Sequence, residues 1–130
     1  MELQEQNKIR ELQDEILPAR MQEIEDICDR AIPYEIDWNS FAGDPQGLDH
    51  LDSLSCRRLN MALRSICIDD LARAAVRDGL RLIRLANAPD KAAMHIRFDD
   101  GVLDMRCAYR LHTEGMHDAR TIQWVLIEKL

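Results

Sequence analysis

At 130 residues the chain fits one folded domain, residues 1–130, long enough to bury roughly two-thirds of the surface its unfolded form exposes. Its 46% hydrophobic and 32% charged residues exclude a disordered chain, and no apolar run approaches the ~20 residues of a membrane span. The formal charge of −7 argues against nucleic acid as a ligand, because phosphates need concentrated positive charge.

That charge is unevenly placed. Residues 1–30 hold nine acids and four bases, residues 31–56 five acids and no base, and residues 57–130 ten acids and thirteen bases. The first 56 residues therefore sum to −10 and the rest to +3. Such a front half suits a basic protein partner, or pairing with the basic half of the same fold. The opening MELQEQNKIRELQDE lacks the basic-then-apolar order of a signal peptide, so a cytoplasmic location is expected. Cys28, Cys56, Cys67 and Cys107 show no CxxC spacing and are expected to be free, mostly buried thiols.

Residues 2–31 read as helix: Ile9, Leu12 and Ile16 keep one three–four spacing, and Leu17, Met21, Ile24, Cys28 and Ala31 another. The stripe slips by one residue at Ile16–Leu17 and Pro18 follows, which predicts a kink or two helices there. After Pro33, Tyr34, Ile36 and Trp38 alternate with Glu35 and Asp37, the period of a half-buried strand. From Asn39 the chain turns to loop chemistry, with Ser40, Gly43, Asp44, Pro45 and Gly47. A second helical region is expected from near Ser53 to Gly79, after a short turn at Leu48–Asp52, with a second start available at Asp69-Asp70.

Leu80–Ala86 reads as a strand whose poor alternation suggests cover on both faces. A hairpin follows, turning at Asp100-Gly101. Counting outward from Asp99 opposite Val102 pairs Phe98 with Leu103, Arg97 with Asp104, Ile96 with Met105, His95 with Arg106 and Met94 with Cys107. Asp118 is placed to cap a last helix bearing Ile122, Val125, Leu126 and Leu130, with Trp124 and Ile127 off that face. The predicted fold is α+β, in the order α-β-α-β-β-β-α. Its antiparallel sheet of three to four strands should carry helices on one face.

The chemistry is sparse. His50, Asp52 and Ser53 are neighbours in sequence, a poor basis for a triad, and capping explains them better. Cys56, beside Arg57 and Arg58 in an expected first helical turn, is the thiol most open to activation. His112, Glu114, His117 and Asp118 gather before the last helix as metal candidates, at a spacing outside the zinc patterns. The glycines are scattered, without a phosphate loop, and no cofactor is expected.

The loop stands apart: Trp38, Phe41, Asp44, Asp49 and Asp52 join aromatic anchors to acids with no base nearby. The leading expectation is a non-catalytic binding protein, immunity- or adaptor-like, that engages a basic protein partner through these residues. A small enzyme using the His112–Asp118 cluster is the alternative. A third reading is a homodimer formed through residues 2–31 or the apolar surface around Trp124.

Overall fold

The computed structural model describes residues 2–130. Residues 3–28 form one continuous helix, α1, in which α-helical Leu3–Glu11 and Leu17–Cys28 are joined by a wider π-helical turn at Leu12–Ile16. The expected break at Pro18 is replaced by this turn. A π turn holds one more residue than an α turn, which takes up the one-residue slip in the apolar stripe. Leu12, Leu17, Ile24 and Cys28 are thereby all buried. Pro18 has no N–H to give the preceding turn, and the wide turn lies directly ahead of it.

Strand β1 spans Tyr34–Ile36. It stops sooner than the alternation suggested, because the Asp37 carboxylate accepts from Ser40 N at 3.3 Å and starts a 3-10 turn at Trp38–Phe41. Residues 45–66 then form helix α2, again with an internal π-helical turn, Asp52–Cys56. The start near Ser53 is corrected. Asp44 is the cap, accepting from Gly47 N at 3.0 Å, and Pro45 occupies the first helical position, where its missing N–H costs nothing. Asp69 caps a separate helix α3, Asp70–Gly79, through Ala72 N at 2.8 Å.

Strands β2 (Leu82–Asn87), β3 (His95–Asp99) and β4 (Val102–Cys107) complete the sheet, and helix α4 (Ala119–Lys129) closes the chain. The element order is thus α-β-α-α-β-β-β-α. The hairpin register is as counted from Asp99–Val102 to His95–Arg106; Met94 lies outside β3. The antiparallel sheet is corrected to a mixed one. Its spatial order is β1-β2-β4-β3, with β1 and β4 both parallel to β2 and only β3–β4 antiparallel. The hairpin's second strand turns its free edge to β2, while β3 is left at the margin. A parallel neighbour requires a crossover connection, and which edge of a hairpin is used leaves no mark on its local pattern.

Two rows cross the inner face: Tyr34, Ile83, Leu103 and Phe98, then Ile36, Leu85, Met105 and Ile96. These side chains join one hydrophobic cluster with the helices. The outer face carries the row Glu35, Arg84, Asp104 and Arg97, which alternates in sign across all four strands.

Candidate functional site

The loop after β1 is built from its own polar groups. Asn87, at the end of β2, donates through Nδ2 to Ser40 O at 3.1 Å and to Asp44 Oδ2 at 2.9 Å. Its backbone N–H donates to Ser40 Oγ at 2.9 Å. Phe41 is fully buried and stacks on Tyr109, ring centroids 5.4 Å apart. The expectation that Phe41 is an anchor for a partner is therefore corrected: the 3-10 turn rotates it under the loop and into the core. Asp44 has its carboxylate committed to the α2 cap and to Asn87. No local pattern marks Asn87 for this role: Ser40 and Asp44 lie more than forty residues away, and Tyr109, whose N–H its Oδ1 accepts at 3.4 Å, lies twenty-two away.

Asp52 does not lack a counter-charge. Arg20 Nε and Nη2 reach its two oxygens at 2.7 and 2.9 Å, and Arg57 approaches at 3.6 Å. Such a forked, half-buried pair ties α1 to α2. Asp49 is exposed and has no ion-pair partner among the described residues. Trp38 is half-buried, 6.5 Å from the Phe41 ring.

Trp38 borders a feature that the sequence did not announce. Between α1 and the β1 segment runs a groove of about 260 Å³, where Leu17, Pro18 and Met21 face Pro33, Ile36 and Trp38. Asp14 is next in sequence to Gln13, which lines the groove from the wide turn, and Glu25 lies one α-helical turn beyond Met21. Glu35 in β1 and Asp37 just beyond it alternate with the groove residues Tyr34, Ile36 and Trp38. Glu35 meets Arg84 at 3.3 Å; Asp14, Glu25 and Asp37 are exposed and have no cationic partner among the described residues. The groove joins residues about twenty positions apart, which no local pattern encodes.

The His112–Asp118 group disperses. His117 Nε2 lies 2.9 Å from His95 O and 3.1 Å from Arg106 O; both are carbonyl acceptors, so this nitrogen carries the hydrogen and donates. Asp118 accepts from Thr121 N at 2.8 Å, an N–H contact that holds its carboxyl below the ordinary value. Glu114 lies 4.0 Å from Lys91, and His112 meets the ring of His50 edge-on at 4.6 Å. Among the described residues no three His, Cys, Asp or Glu side chains converge as a metal site would require.

Cys56 is fully buried within α2, not in a first turn, and burial pushes its thiol up to about 12. The activation expected of it is corrected accordingly, because a helix interior offers no free N–H groups to a thiolate. Cys28 is likewise pushed up to about 11, by burial first and by Cys67 second. All four cysteines are free and buried, and no helix among the described residues is long and apolar enough to cross a membrane.

Compared with models of known protein families, with curated proteins and with solved structures, the chain matches none.

Proposed function

We propose that this chain is a non-catalytic cytoplasmic binding protein that engages a basic protein partner, with the groove between α1 and β1 as the centre of its contact surface. The observation that carries this reading is the apolar groove beside Trp38, bordered by acids that no base within the described residues neutralises. Apolar anchors ringed by charge are what a complementary protein surface needs: the apolar centre supplies desolvation and the rim supplies steering and specificity. Of the residues singled out in the sequence, Trp38 and Asp49 remain available to a partner, while Phe41 and Asp44 hold the loop in shape and Asp52 ties α2 to α1.

Charge reversal tests it. The Asp14→Lys/Glu25→Lys chain should keep its circular dichroism spectrum and lose most of the partner that the native chain captures from extract at low salt. The difference should shrink as salt shortens the electrostatic range to about 8 Å or less. Equal capture by both chains at low salt would remove the proposal. Asp44 is a poor site for such a test, since losing its cap would itself cost about 1 kcal/mol.

A second reading, self-association, draws on α4. Trp124 is 69% exposed and Ile127 51%, one helical turn apart on the outside of the molecule. An uncovered apolar strip of this kind suits a second copy of the chain.

A further inference from the structure

We propose that the partner docks by strand addition: an extended segment, alternating basic with small apolar residues, joins the sheet along the free edge of β1. This rests on the reading of the chain as a receptor for a basic partner.

The backbone supplies the first argument. β1 is a terminal strand of the sheet, with β2 as its one neighbour. Ile83 N donates to Pro33 O and Asp37 N to Leu85 O, each at 3.0 Å. In a parallel pair alternate residues turn both backbone groups to the same side, so Tyr34 and Ile36 direct theirs away from β2. An unpaired edge of this kind is a template for another strand.

The side chains fix what that strand would be. On the inner side it would lie against Leu17 and Pro18, where the groove leaves room for small apolar side chains. On the outer side its residues would stand next to Glu35 and Asp37. The outer row already runs Glu35, Arg84, Asp104, Arg97, with Glu35 held to Arg84 at 3.3 Å. Continuing that alternation one strand beyond Glu35 calls for a base.

Charge also decides against a second copy as the occupant. Two β1 edges brought together would set Glu35 and Asp37 against the same acids, a repulsion that ordinarily protects an edge from self-pairing. The protection works against acidic strands and invites basic ones.

The test uses the full chain, labelled with nitrogen-15, and three synthetic octapeptides. One alternates lysine with valine. The second has the same composition in two blocks, and the third is the alternating peptide N-methylated on the residues that would pair. The alternating peptide should bind about tenfold more tightly than the block peptide, since only it satisfies both faces at once. Binding should protect the amides of Tyr34 and Ile36 from exchange, and N-methylation should abolish it. Glu35→Lys should weaken the alternating peptide selectively. Equal binding of the block or N-methylated peptide would overturn strand addition and leave a charge-only contact, under which the basic-partner reading survives. Absence of binding by all three also overturns it, while the capture experiment with Asp14→Lys/Glu25→Lys judges the basic-partner reading separately.

Discussion

Glu23 shows how single side chains are set by partners far away in sequence. Its Oε1 accepts from Asn60 Nδ2 at 3.0 Å and its Oε2 from Arg20 Nη1 at 2.6 Å. The Asn60 bond, followed by Arg20 and Arg64, holds the carboxyl below its ordinary value. A carboxyl depressed on folding contributes stability above its unfolded value that is lost as pH falls through the folded one. Glu23→Gln should therefore lower stability by about 1 kcal/mol near neutrality, the size of one partly exposed charged hydrogen bond. The gap between native and variant chains should close as pH falls below 4.5, the ordinary value for this group. Urea titrations at several pH values measure it, and a gap that stays constant into acid would contradict the assignment. Of this arrangement only the residue types were legible in advance. Cys56 carries the same lesson, since its neighbours Arg57 and Arg58 suggested activation and its burial imposes the reverse.

At the scale of elements, local pattern went further. The slip at Ile16–Leu17 marked a real irregularity, and the π-helical turn at Leu12–Ile16 is its physical form. Deleting Glu15, an exposed residue in that turn, should convert it to a regular α-helical turn that leaves Leu12 four residues from Leu17, on the same face. Leu12, fully buried, would then stay in the core, so stability should fall by far less than the about 2–5 kcal/mol that a truncated core leucine costs. A denaturation midpoint close to the native one reads this out; a loss of that full size would mean that the wide turn does not take up the slip. The β3–β4 hairpin was legible almost completely. Its period of two, its Asp-Gly turn and the Arg97–Asp104 pair all favour one register, and each acts over a few residues. Asp100 and Gly101 have φ of 51° and 79°, the positive values that such a turn demands.

At the scale of the whole molecule, the acidic front and basic rear meet in part. Arg57 reaches Asp52, Arg64 reaches Glu23 and Arg84 reaches Glu35, so the imbalance in the sequence is spent partly inside the fold. Most of what remains lies along α1 and beside β1, with Asp49 on α2. An apolar surface is also uncovered on α4. If self-association occurs there, sedimentation should show a mass that rises with concentration for the native chain and stays monomeric for Trp124→Glu. A native chain of constant mass over the same range would dispose of that reading. The variant leaves the groove untouched, so peptide binding at β1 should persist in it.

The sequence by itself determined that helices and strands alternate, where most of them lie, the hairpin register and the charge asymmetry, because each is written in spacings of a few residues or in simple composition; the start of α2 and the end of β1 were not among them. Only the tertiary structure decided that β2 lies between β1 and β4, that Phe41 is core and that Asp52 belongs to Arg20. It also decided that α1 leaves a groove beside β1. Each of these depends on which distant surfaces bury against one another, and local periodicity carries no information about that choice.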